Sequence, residues 1–534
     1  ALPISTASYN TAIGKDALTE NTTGAHNTGI GFQALDANTT GGYNTGLGSN
    51  VLSANTTGTN NTAVGRDAVA SNTTGEYNTA VGMNALSSNT TASSNTALGY
   101  GTLSLNTTGN GNVGLGFLAL TVNTTGTQNT AVGYEALDDN TTATSNTALG
   151  YQALKLNTTG VQNTALGHQA LYANTTGNYN TAVGKGALVT ATTASNNTAV
   201  GWSALKQNST GAYNTSVGRS SMHECTTGAS NTATGYGAGY SITTGSDNTA
   251  FGAWSLHNNT TANSNTAIGH YALLANTTGT GNVAVGNNAL DANTTASDNI
   301  AIGKNAFTDC TTGSNGVAIG SNACANVTTG AYNIGIGPSA VETATGGSAN
   351  IGIGFRSCYK TTSNYNVGVG HETLYENTSG DYNVAVGYQA LDSNTTADLN
   401  TAVGMQALAA NTTGAYNTAV GGYTLDACTT ASHNTAIGQG ALTVATTATE
   451  NTAAGKGALH VATTGSYNSA VGRHALYALT TGESNAAVGR DAGLAVTTGD
   501  HNTCMGRSAG NTITTGDHNT MLGYYTHGPT TGSH

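Results

Sequence analysis

Charge is what this sequence has least of: 7% of its residues are Asp, Glu, Lys or Arg, against roughly 25% in an ordinary soluble protein. Proline and phenylalanine are also scarce, with 3 and 5 copies in 534 residues. A chain this poor in Lys, Glu, Leu and Phe builds neither several conventional cores nor many amphipathic helices, whatever its length suggests. Too little charge and proline remain for a typical disordered chain. No run of 18 apolar residues occurs, which excludes a membrane-spanning helix. The net charge of −12 is spread thinly; with no basic patch in the sequence, nucleic acid and anionic membrane are poor partners. The opening residues ALPISTASYN lack the charged and apolar regions of a secretion signal, which is expected to be removed or to lie outside this stretch.

What remains is Gly, Asn, Thr and Ala in a strict period. A pentapeptide of the N-T-A-V-G type begins at Asn10, Asn27, Asn44, Asn61, Asn78 and Asn95, always 17 residues apart. The register runs to Asn350, slips by one residue before Asn366, and holds again to Asn519. The consensus is N-T-A-V-G-x-x-A-L-x-x-N-T-T-G-x-Y, with places numbered 1 to 17 from the first Asn. The reading is an all-β parallel β-solenoid, one repeat per coil and 31 repeats from Asn10, forming one continuous array over residues 1–534. Seventeen residues are too few for a helix pair, and Asn, Thr and Gly are weak helix formers. Coils stacked at about 4.8 Å would make a rod on the order of 150 Å long.

Place 5 is Gly in every copy, starting with Gly14, Gly31 and Gly48, which predicts a backbone that a side chain would block. Place 1 is Asn (Asn10, Asn27, Asn44) except at Gly316. Asn and Gly share a tolerance for left-handed backbone, so place 1 is expected to be a corner carrying an Asn ladder. Places 4 and 9, mostly aliphatic, are expected to form the interior stack. Place 3 is nearly always small and place 2 is mostly Thr or a β-branched aliphatic, so both strand faces look apolar. One face would meet the chain's own interior and the other a neighbouring chain, most simply in a trimer.

Place 12 is Asn in 17 copies, among them Asn21, Asn38 and Asn55. Elsewhere it is chiefly a small or aliphatic residue such as Ala191, Val327 or Leu479. That exchange predicts an inward amide ladder. The same Asn residues open glycosylation sequons, and a glycan on each, or on the outward Thr22 and Thr39 column, is the competing reading. Charged residues gather at places 6, 7, 10, 11, 16 and 17, read as solvent-facing corners. Place 17 is Tyr in ten copies, including Tyr9, Tyr43, Tyr77 and Tyr416. Exposed Tyr beside Asn and Ser suits a recognition surface that stacks on sugars; it suits equally a shield over the coil edges.

No catalytic, cofactor or metal constellation is legible. Cys225, Cys310 and Cys428 sit at place 12, Cys324 and Cys358 at place 9, and Cys504 at place 3, all expected to be core filler. Only Cys310 and Cys324 are spaced for a bond between successive coils. His501 and His518 share place 17 without further ligands. Asp138 beside Asp139 imitates a glycosidase pair, yet reads as solvated corner charge.

The Asn-(Thr/Ser)-Ala-(Val/Ile)-Gly core, as at Asn61 to Gly65, resembles the head repeats of trimeric autotransporter adhesins and the repeats of phage tail-fibre proteins. The resemblance spans the chain, although 17 residues exceeds the usual adhesin-head repeat. It implies a homotrimer, an extracellular, cell-surface or virion-surface location, and a role in adhesion or as a spacer. The expected function is therefore a non-catalytic fibre or filament subunit whose partners are itself, possible end-to-end neighbours, and glycans or other surface ligands. The competing classes are a glycosylated fibril and a Thr-ladder solenoid that binds ice. The sequence starts at place 9 and stops near place 16, so either it is a window on a longer protein or rods join end to end. Pro3 and Pro529 are expected to blunt the ends slightly.

Overall fold

The computed structural model describes residues 6–528 and 530–532; Pro3 and Pro529 lie outside them. The described residues form a parallel β-solenoid with a 17-residue coil and no helix. Each repeat contributes one three-residue strand, from places 2 to 4, and turns make up the rest of the coil. The chain divides into two compact units, residues 1–265 and 266–534. The first carries strands β1 (Thr11–Ile13) to β15 (Thr249–Phe251), and the second β16 (Thr266–Ile268) to β31 (Thr520–Leu522). Within each unit successive strands pair in parallel at the same register, as Thr62↔Thr79 and Val384↔Thr401.

The turns are hydrogen-bonded from coil to coil as well. Leu35 N donates to Val51 O, Ala37 N to Ser53 O, and Thr39 N to Thr56 O, while Gln33 N donates back to Lys15 O. Backbone donors are thus satisfied by neighbouring coils even outside the strands, which lets a coil that is mostly turn close around a buried centre.

Three places adopt left-handed backbone with ordinary residues: 7, 9 and 17, as at Gln33 (φ 50°), Leu35 (φ 53°) and Tyr43 (φ 58°). The corner expected at place 1 is therefore carried by the residue before it. Asn at place 1 is retained for its amide: Asn44 Oδ1 accepts from Asn61 N at 3.0 Å and Asn44 Nδ2 donates to Gly58 O at 2.9 Å. Gly316 replaces that Asn for a different reason. A Cβ there would lie 2.5 Å from the Phe307 ring, the aromatic that stands at place 9 where Leu is usual.

The interior also differs from expectation at place 4. Ala63, Ala80 and their equivalents at place 3 are fully buried between the first and last coils, as are nearly all residues at places 8 and 9, whereas place 4 points outward; in the first coil Ala12 is exposed, and in the last Met521 is half-buried. Ile13, Leu47 and Phe251 are 58%, 46% and 57% exposed. The coil is too narrow for another large side chain: a Cβ on Gly29 at place 3 would already meet Leu18 Cγ at 3.4 Å and Ala34 O at 3.2 Å. Places 2 and 4 therefore share the outer sheet face, and Ala, Ala and Leu with two Asn fill the inside.

The register slip is absorbed in a turn. β21 (Ile351–Ile353) and β22 (Val367–Val369) pair without offset, and the missing residue comes out of the Thr-Thr turn. There Ser363 Oγ donates to Gly380 O at 2.7 Å and Asn350 Nδ2 donates to Ser363 O.

Candidate functional site

Place 12 faces inward. Asn38 Nδ2 donates to Asn21 Oδ1 and Asn55 Nδ2 to Asn38 Oδ1, both at 2.8 Å, and Asn38 and Asn55 are fully buried. In the folded coil these amides offer no access for a glycan. Thr22 and Thr39 donate their hydroxyls to Thr39 O and Thr56 O. Gly14, Gly31 and Gly48 adopt φ of +131°, +137° and +143°. All six cysteines are free and buried; burial pushes the thiols of Cys225 and Cys358 up to about 12.

The outer surface is organised as columns, because every place stacks on itself. At place 17, Tyr9, His26 and Tyr43 stack with centroids 4.8 Å apart, and Tyr416 lies on His433 at 4.9 Å. Tyr77 is exposed, with Asn60 and Ser94 as its column neighbours. His501 and His518 stack at 4.8 Å; no cluster of three metal-ligating residues occurs among the described residues. At place 6, Tyr100, Phe117, Tyr134, Tyr151 and His168 form one ring stack with spacings of 5.0–5.3 Å.

Place 6 is also where cations align. Lys456, Arg473, Arg490 and Arg507 occupy it in four successive coils, all exposed. Seventeen-residue spacing hides this basic column in the linear sequence.

Places 6, 7 and 10 run side by side, and where place 7 is Gly they enclose a notch. One cavity, of about 280 Å³, is floored by Gly440 and Gly457 and walled by Tyr423, His460, His474 and Tyr477. A second, of about 290 Å³ in the first unit, is built the same way from Gly237, Tyr240, Trp254 and His257. Both fix a place-10 His on the Gly of the coil before: His460 Nδ1 to Gly440 O and His257 Nδ1 to Gly237 O, each 3.0 Å. A carbonyl only accepts, so Nδ1 carries a proton, and in the neutral ring Nε2 is left as an acceptor. The signal for these notches was Gly at place 7 beside aromatics at place 10, a pattern visible only once the columns are aligned.

Place 10 is not a solvated corner. Asp138, Asp291, Asp392 and Asp426 all stand there, half-buried, and burial raises each carboxyl above its usual range. Asp392 is pushed up to about 6, first by burial and then by Glu372 and Glu376. The unfolded value is about 3.9, so the folded chain binds this proton more tightly. Its contribution to stability is full below about pH 4 and is lost as pH rises through about 6. Asp392→Asn is accordingly expected to raise thermal stability at pH 7 and to leave it nearly unchanged at pH 4, measured by melting both proteins at the two pH values.

No family model and no curated protein matches the chain. No helix among the described residues is long and apolar enough to cross a membrane.

Proposed function

We propose that the chain is a non-catalytic structural subunit of an extracellular fibre, with adhesive columns on its surface, and that it associates laterally with copies of itself. The observation that carries this reading is the outer sheet face. No charged residue occupies place 2 or place 4 in any coil, and from Val283 to Val386 both places are aliphatic in seven consecutive coils. Ile300 and Ile302 are 38% and 40% exposed there, along a strip that grows with every coil. A continuous apolar surface of this kind is characteristic of an interaction face. An identical strip is the natural occupant, because it repeats at the same spacing and adds no unpaired charge. A homotrimer is the stoichiometry the resemblance implies.

The test is assembly. Ile334→Lys with Ile336→Lys places two charges on the strip without entering the coil interior. The unchanged chain is expected to sediment as an oligomer and the double variant as a monomer with the same β-rich spectrum. A monomeric unchanged chain would overturn the reading.

A further inference from the structure

We infer that the notch over Gly440 and Gly457, with the cations Lys456, Arg473, Arg490 and Arg507 beside and beyond it, binds an acidic polysaccharide lying along the coil stack. One pyranose ring sits in the notch, and successive carboxylate or sulfate groups meet successive cations. The inference deepens the adhesive half of the proposed function by naming its ligand class.

Two independent features converge here. The first is the cavity, whose volume of about 280 Å³ is at the small end for ligand pockets and suits a single ring. Its walls are Tyr477 stacked on His460 at 4.9 Å and meeting His474 edge-on at 5.1 Å. Such rings present faces to the C–H side of a sugar. Polar groups sit among them: His460 Nε2 as an acceptor, the Thr443 hydroxyl, and the Lys456 ammonium on the rim. Apolar walls with a few convergent polar groups are the chemistry of a saccharide subsite.

The second feature is the column of charge. Strands in this region pair without offset through Ala454, Val471, Val488 and Met505, so the place-6 cations two residues on recur at about the strand spacing of 4.8 Å. Like charges stacked on adjacent strands are unfavourable unless something neutralises them. Arg490 pairs with Asp491 at 3.2 Å, and Asp491 also meets His474 at 3.6 Å. Arg507 lies over the Tyr524 ring. Among the described residues no carboxylate pairs with Lys456 or Arg473. One Asp against four cations leaves the column in surplus, on a chain whose net charge is −12. A linear polyanion with one charge per sugar supplies the missing charge at a matching period. Nucleic acid is the other polyanion with rings to stack, but its affinity rests on many phosphate contacts, and the column offers four cations beside a notch sized for one small ring.

The backbone allows a filled notch without refolding. Gly440 has φ +64°, and Gln389 and Gln406 adopt φ 52° at the same place. Gly440→Gln therefore occupies the cavity with a residue the position accepts, and Lys456→Gln with Arg473→Gln copies Gln439 of the same column. The experiment titrates the full chain and these variants with oligogalacturonate, alginate, heparan sulfate and polysialic acid, and with methyl-esterified oligogalacturonate and single-stranded DNA of matched charge as controls. Salt-dependent binding of at least one acidic glycan is expected, weaker by at least about tenfold in each variant. Gly440→Gln should retain the salt dependence, and the double cation variant should lose most of it. Unaltered melting curves would show that the variants are folded. Failure to bind any acidic glycan, equal binding by the variants, or preference for DNA would overturn the inference. The outcome is separable from assembly, because the chain carrying Ile334→Lys and Ile336→Lys keeps this site intact.

Discussion

Gly133→Ala is expected to destabilise the first unit by about 2–4 kcal/mol, whereas Gly126→Ala, seven residues earlier, should cost less than about 1 kcal/mol. A Cβ at either glycine meets a neighbouring carbonyl: Gly150 O at 2.3 Å from Gly133, and Ala143 O at 2.4 Å from Gly126. Crowding alone does not separate the two. Place 15, where Gly126 stands, carries Ala in other coils, including Ala92 and Ala143, both buried, so neighbouring coils shift enough to admit a methyl. Place 5 never does. Gly133 has φ +137°, a region closed to side chains at about 1–3 kcal/mol, and that strain cannot be relieved by moving the next coil. Because each repeat contacts only its neighbours, the damage should stay local. Denaturant melts would read the loss, and limited proteolysis should cut near residue 133. Equal costs at the two glycines would show that crowding, not φ, keeps place 5 as Gly.

The two Asn columns are expected to differ sharply in how much a mutation costs. Asn129 at place 1 accepts from Asn146 N at 3.0 Å and donates to Ala143 O at 2.9 Å. Asn129→Ala leaves the buried Asn146 N–H without its partner and takes one donor from Ala143 O, for a loss of about 2–5 kcal/mol. Asn140 at place 12 bonds Asn123 Oδ1 and Ala143 O and accepts from Asn157 Nδ2. Its partners have alternatives: Ala143 O keeps the Asn129 amide and Asn157 keeps Gly160 O. The column already breaks where place 12 becomes Ala191 or Cys225, leaving Asn174 Oδ1 and Asn208 Oδ1 unpartnered. Asn140→Leu, as at Leu479, should therefore change stability by less than about 1 kcal/mol, since apolar burial offsets the lost bonds. Chemical denaturation of the two variants side by side checks the contrast.

The period, the parallel stacking and the inward place-12 amides were legible because each leaves its mark on residue identity in many coils. Place 4 does not follow from hydrophobicity alone, because size decides which strand face fits inside the coil. Val and Ile there look like core, yet the invariably small place 3 was the inward position, held to Ala or Gly by Leu18 and its equivalents in a narrow coil. Place 1 is a related case. Asn suggested left-handed backbone, but its amide was needed for hydrogen bonds and the unusual φ fell on Tyr9, Tyr43 and Tyr77. The notches and the cation column are not legible in the linear sequence because their members lie 17 to 20 residues apart, and only stacking makes them neighbours.

Both amide columns point the same way. Asn38 donates back to Asn21 and Asn55 back to Asn38, while Asn61 and Asn78 each direct N–H groups to the Oδ1 of the Asn one coil earlier. Side-chain dipoles so arranged add head to tail, as peptide dipoles do along a helix. A cut through the stack consequently exposes amide hydrogens on one side and amide oxygens on the other. Stacks joined by continuing these columns must all face one direction, and a filament grown that way has a compass sense, with a donor pole and an acceptor pole that would recruit different neighbours.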